Sequence, residues 1–176
     1  MSEKLPSREQ ALQLLREHQC PPEVINHCKA VTKLALETTG ILKERGLKID
    51  SELVEAGALL HDIGRSKTHT VHHVVVGAEI AKTAGLPDSV ISVIKRHVGG
   101  GITASEAKKL GWPEDVYVPI TLEEKIVSYA DKLIENSKRA PIEVTIEKLY
   151  REQKVEAAER VRKLYDEIIN LVGVDP

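Results

Sequence analysis

The segment LVEAGALLHD, residues 53–62, is apolar on nearly every side when wound as a helix. A helix without a polar stripe has to lie buried among neighbours, so this one belongs at the centre of a domain. Two polar residues, His61 and Asp62, sit at its inner end. The remaining chain must therefore supply the elements that surround a dry helix, and it has the pattern to do so. Apolar residues recur at three- and four-residue spacing along almost its whole length, while period-two alternation bounded by turn residues is scarce. The expected fold class is all-α, with about seven to nine helices.

Local signals place the helix starts. Ser7 with Gln10, Thr103 with Glu106, and Thr121 with Glu124 fit the capping box, in which two side chains reciprocally satisfy free amides at a helix start. Pro21 and Pro22 open a long segment running to about Gly46, Asp50 caps the next, and Pro87 stands where a helix after Gly85 begins. Helices are predicted near 7–18, 22–45, 51–62, 72–84, 87–97, 103–110, 121–137 and 154–172, with 141–151 left unassigned. The stretches 63–71, 99–101 and 111–120 read as loops, the glycine run 99–101 being a connector or a flexible lid.

A length of 176 residues is one domain, spanning 1–176. With no Phe and one Trp, its core must be built from Leu, Ile, Val and Ala. A net charge of −2 provides no basic field to gather a polyanion, so extended nucleic acid is not an expected partner. No apolar run approaches the roughly 18 residues of a membrane span. Cys20 and Cys28 lack C-x-x-C spacing and read as reduced, apolar packers. With no leader pattern evident, these features describe a cytoplasmic protein without a membrane partner.

Several polar residues stand where packing gives them no reason to be. His27 shares a helix face with Val24, Cys28, Val31 and Leu34, which turns its imidazole toward the core. Asp131 lies among Ile126, Val127, Ala130, Leu133 and Ile134, where an unpaired carboxylate is costly to bury and calls for a cation. His73 begins a helix carrying Gly77, Ile80 and Ala84, and His97 ends one whose inner face is Val90, Val93 and Ile94. Imidazoles and carboxylates together suit a divalent ion such as manganese, iron, cobalt, nickel or zinc better than magnesium alone. Such an ion lowers the pKa of a bound water and polarises a phosphoryl oxygen, which is the chemistry of phosphate-ester hydrolysis. For any one histidine alone, a satisfied core or surface position is the simpler reading, and His18 is left at the surface on that ground.

The ordered set of His27 on one helix, LLHDIG on the next and YADKL far downstream resembles the HD superfamily of metal-dependent phosphohydrolases, over most of residues 22–139. The resemblance implies the HD-domain helical fold, with residues 140–172 as a helical extension, and one metal held by His27, His61, Asp62 and Asp131. The stretch from His73 through GAEI, VIKRH and LEEKIVSYADKL looks like the branch that includes bacterial diadenosine tetraphosphate hydrolases. That likeness implies a second metal on His73 and His97 with Asp62 as the bridge, and His69 or His72 completing or orienting it.

Arg65 follows HDIG directly, where its guanidinium can fork two phosphate oxygens. Lys132 and Arg139 read as solvated, with a substrate or outer-shell contact as the other reading of Lys132. The expected activity is metal-dependent hydrolysis of phosphomonoester or phosphoanhydride bonds in a small, nucleotide-sized substrate, with Asp62 and Arg65 closest to the chemistry. A di-iron oxygenase of the same fold and a non-catalytic metal- or nucleotide-binding module are the alternatives. Residues 103–112 are expected to form a small helix over the pocket. The stripe Val155, Ala158, Val161, Tyr165, Ile168 and Val172 is expected to dock on the core or, in the other reading, on a second copy in a homodimer.

Overall fold

In a computed structural model the described residues are 4–173; the outermost residues of the expected 1–176 domain, 1–3 and 174–176, lie outside them. Nine α-helices account for most of the described chain: α1 Arg8–Glu17, α2 Pro22–Glu44, α3 Ser51–Leu60, α4 His73–Thr83, α5 Asp88–Lys95, α6 Ala104–Lys109, α7 Leu122–Lys132, α8 Ile142–Arg151 and α9 Val155–Val172. Short 3-10 turns cover Ile63–Ser66 and Val98–Gly100. The all-α expectation stands, and among the described residues no helix is long and apolar enough to cross a membrane.

The central position of α3 follows from its sequence. Val54 and Ala58 face one apolar cluster, built with α2, α7, α8 and α9. Ala56, Leu59 and Leu60 face another, built with α1, α4 and α5. A helix shared by two clusters needs apolar residues all round, and each fully buried Leu contributes about 1.5–3 kcal/mol. Gly57 lets α5 approach closely, since a Cβ there would stand 2.7 Å from Val93 Cγ1. A third cluster, Val74, Ile102, Ala107, Trp112 and Tyr117, anchors the loops that follow α5.

The capping boxes at Ser7 and Thr103 both form, and the Asp50 side chain accepts from the Leu53 amide. At Thr121 only half of the expected box exists. The hydroxyl takes the Glu124 amide, but the Glu124 carboxylate bonds Arg96 and the Ile120 amide instead of reaching back to Thr121. Residues 141–151, unassigned from sequence, contain α8, with Ile142 and Ile146 as its buried face.

Three corrections concern element ends. The helix predicted over 121–137 stops at Lys132, and a hairpin follows, β1 Ile134–Glu135 pairing antiparallel with β2 Lys138–Arg139. Asn136 and Ser137 take φ of +48° and +63°, the left-handed pair that a two-residue hairpin turn needs. The buried stripe of α4 is His73, Val74, Gly77 and Ala81, so Ala84 lies outside it. In α9 the buried residues are Ala157, Ala158, Val161, Leu164, Ile168 and Val172, while Val155 is exposed. Most of that stripe is covered within the chain, as the docking reading requires, and it is not left open for a second copy.

Candidate metal centre

Five helices deliver imidazoles and carboxylates to one place. His27 comes from α2, His61 and Asp62 from the end of α3, His73 from the first turn of α4, and His97 from just beyond α5; Asp131 comes from the last turn of α7. His61, Asp62, His73 and His97 are buried, and His27 and Asp131 are half-buried. Their donor atoms fall into two groups, each gathered within 4.8 Å: His27, His61, Asp62 and Asp131 in the first, and Asp62, His73 and His97 in the second.

Asp62 belongs to both groups because its oxygens point different ways. Oδ2 lies 3.6 Å from His27 Nε2 and 3.5 Å from His61 Nε2. Oδ1 lies 3.1 Å from His73 Nε2 and 3.3 Å from His97 Nε2. Asp131 Oδ1 stands 2.9 Å from His27 Nε2 and 3.4 Å from His61 Nε2, closing the first group.

One local device orients three of the rings. His61 Nδ1–H donates to the Ala58 carbonyl at 2.6 Å, His73 Nδ1–H to Thr70 at 2.8 Å and His97 Nδ1–H to Ile94 at 2.6 Å. A carbonyl only accepts, so each neutral ring carries its proton on Nδ1 and presents a bare Nε2 lone pair to the centre. Two such lone pairs, on His73 and His97, face each other at 3.2 Å. His61 Nε2 and Asp62 Oδ1 are buried without a hydrogen-bond partner. Converging, unsatisfied acceptors are costly to bury unless a cation lies between them, so these residues fit a divalent ion in each group.

The charge balance points the same way. Burial opposes charge on Asp131, yet the Lys132 ammonium, then a hydrogen bond from His27 and the nearby His61, hold its carboxyl well below the usual carboxylate range. Burial likewise opposes charge on Asp62, and a charged His61, then the His73 and His97 rings beside it, hold it low. Burial pulls His97 down to about 4, which keeps that ring neutral at pH 7. On His61 burial also disfavours charge, but Asp62 and then Cys28 outweigh it and raise the imidazole well above its ordinary value. A proton on His61 thus balances the carboxylates when no ion is bound, the place a metal would take.

The supporting residues were less legible. Lys132, read from sequence as solvated, is mostly buried: its Nζ lies 2.6 Å from Asp131 Oδ2 and donates to the His97 carbonyl at 3.0 Å. Near a helix end the long side chain curls along the surface instead of projecting radially, which angular spacing alone did not anticipate. Ser128 Oγ donates to the same carbonyl at 2.9 Å, so α7 both carries Asp131 and holds His97. Arg65 Nε lies 3.1 Å from Asp62 Oδ2 and its NH1 donates to the His69 carbonyl at 3.1 Å. His69 and His72 are exposed and join neither donor group; His72 Nδ1 instead accepts from Trp112 Nε1 at 2.7 Å. Arg139 is exposed on the hairpin and His18 is half-buried behind α1.

Gly64, the glycine of HDIG, is a packing requirement. A Cβ there would collide with the His73 carbonyl and stand 2.7 Å from the Gly77 amide, so only glycine lets the turn after Asp62 sit against the start of α4. Outside the centre a cleft of about 800 Å³ opens, with His27, Asp62 and Arg65 on its floor and the hairpin tip, Asn136 and Ser137, on one wall. The small helix α6 with Trp112 packs beside His72 and does not line this cleft.

A helical domain that brings the His, His-Asp and Asp motifs to one buried centre defines a class, and the HD domain family model matches residues 24–136. The chain belongs to the HD domain family. An uncharacterized protein of Methanocaldococcus jannaschii is 45% identical over 166 residues, covering 93% of this chain and 98% of the relative. The tRNA (cytidine(56)-2'-O)-methyltransferases of Thermoplasma volcanium and Picrophilus torridus are 40% and 37% identical over 171 residues. The match covers 97% of this chain and 49% of each methyltransferase, so the chain spans about half their length. The fold is also that of the HD domain of the Listeria monocytogenes phosphodiesterase PgpH in complex with cyclic-di-AMP. That structure aligns with a TM-score of 0.57 at 20% identity, over 92% of this chain and 96% of that one.

Proposed function

We infer that the protein is a metal-dependent phosphohydrolase acting on nucleotide-sized phosphoesters or phosphoanhydrides. The observation that carries this reading is the division of Asp62 between two donor groups, with His61 Nε2 and Asp62 Oδ1 buried without a partner and the His73 and His97 Nε2 atoms 3.2 Å apart. His27, His61, Asp62 and Asp131 would hold one ion, and His73 and His97 a second, with Asp62 bridging them. Bound there, the ions supply Lewis acidity toward a phosphoryl oxygen and lower the pKa of water. Arg65, anchored through Asp62 at the cleft floor, presents its guanidinium to an incoming phosphate. Water adds to phosphorus, the P–O bond to the leaving group breaks, and that group departs with a proton. The complex of the PgpH domain with cyclic-di-AMP supports a nucleotide as the substrate class.

Elemental analysis of the purified protein should find stoichiometric transition metal, and Asp62→Ala should lose both the metal and all phosphatase activity. Full activity in a metal-free Asp62→Ala protein would overturn the reading.

A further inference from the structure

We propose that the cleft selects phosphomonoesters with a neutral, hydroxyl-rich leaving group, a nucleoside or sugar, over nucleotides bearing further phosphates. This rests on the hydrolase reading and narrows its substrate class.

The argument is the charge along the path out of the centre. At the floor, the two donor groups and Arg65 offer positive charge to one phosphate. Arg65 is the sole Lys or Arg among the lining residues, and it is already engaged with Asp62 and the His69 carbonyl. Farther out stand Glu23 from α2 and Glu135 from β1, both exposed, and the lining holds no cation besides Arg65. Lys138 is the cross-strand partner of Glu135 in the hairpin but, like Arg139, lies outside the lining, so Glu23 carries the larger share of the rim's negative charge. A second or third phosphate extending from the centre would meet carboxylates, and like charges facing one another disfavour binding.

A hydroxyl-bearing group gains from the same residues. Carboxylates accept hydrogen bonds from ribose hydroxyls, the use that dinucleotide-binding folds make of an acidic residue. Asn26, Asn136 and Ser137 add neutral donors and acceptors on the walls. Asn136 and Ser137 both sit at the left-handed turn between β1 and β2, which carries their side chains on the hairpin wall.

The test compares adenosine 5′-monophosphate with adenosine 5′-triphosphate on manganese-loaded protein, with free manganese held constant. Both kcat/KM and the dissociation constant are measured, at low and at moderate salt. The monophosphate should be preferred by about tenfold or more, with the preference shrinking as salt screens the rim. In Glu23→Gln/Glu135→Gln the preference should shrink severalfold, mainly through tighter triphosphate binding, with the thermal melt unchanged because both residues are exposed. Equal or better use of the triphosphate, or a ratio unaffected by the double substitution, would overturn the proposal. If neither nucleotide is turned over, the hydrolase reading fails separately, and the ratio of dissociation constants still decides for or against the cleft's selectivity.

Discussion

The two donor groups share Asp62 and differ in almost everything else. The first gathers four residues with two carboxylates, and His27 opens it to the cleft. The second has two imidazoles and only the shared carboxylate, and all three of its residues are buried. Affinity for a divalent ion rises with the number and charge of the donors. The first group should therefore hold its ion tightly and the second weakly, although the second is better shielded from solvent. Burial orients a ligand, but formal charge pulls in the ion.

The strongest way to break this comparison is to remove one histidine from each group. His61→Ala should abolish retention of metal through purification and all hydrolysis. His97→Ala should leave about one ion per chain and lower affinity for the other by about 100-fold or more, read by elemental analysis and metal titration. Equal losses in the two variants would show that the groups are not independent in strength.

Lys132→Met should have the next largest effect. It frees Asp131 Oδ2 and removes one of two donors to the His97 carbonyl, so it touches both groups. Metal affinity should fall about 10- to 100-fold, as when other outer partners of ligands are lost. The spectrum of the cobalt-loaded protein should shift as well, because Oδ2 becomes available to coordinate.

Gly64→Ala presses first on the second group, through His73. Its Cβ would push against the His73 carbonyl, costing about 1–3 kcal/mol, read as a lower melting temperature with loss of the weaker ion first.

The smallest effect concerns pH. Arg160 bonds both Glu106 and the Gly101 carbonyl, tying α6 and the glycine turn after His97 to α9. Burial opposes charge on Glu106, but the Thr103 amide and hydroxyl and then Arg160 lower its carboxyl below the ordinary value of 4.5. A group lowered in the folded state stabilises it fully above that ordinary value and loses the contribution as pH falls through the lowered one. Acid titration of wild type against Arg160→Met should therefore show a stability gap that closes below about pH 4.5.

Much of the framework was legible because it rests on local rules. The helix starts at Ser7, Asp50 and Thr103 are satisfied by side chains within a few residues, and spacing alone found them. The inward face of His97 followed from its apolar neighbours at helical spacing, whereas His27, read the same way, is half-buried and lines the cleft. The hairpin at 134–139 was missed because it has two residues per strand and Asn-Ser is a weak turn signal, so the helical pattern before it ran on. Lys132 was misjudged because its partners, the Asp131 carboxylate and the distant His97 carbonyl, are united only in space.

By itself the sequence determined that one helix must be central, that its end carries His61 and Asp62, and which other residues are out of place in apolar surroundings. These are consequences of periodicity and of the cost of burying polar groups, and both can be counted along a chain. Tertiary structure decided how Asp62 divides its two oxygens and that the His73 and His97 lone pairs face each other at 3.2 Å. It also set acidic residues of α2 and the hairpin at the mouth of the cleft. Those depend on how separate helices approach one another, from α4 and α5 to α3 and α7, which lie more than 60 residues apart in the chain, and that approach is set by packing.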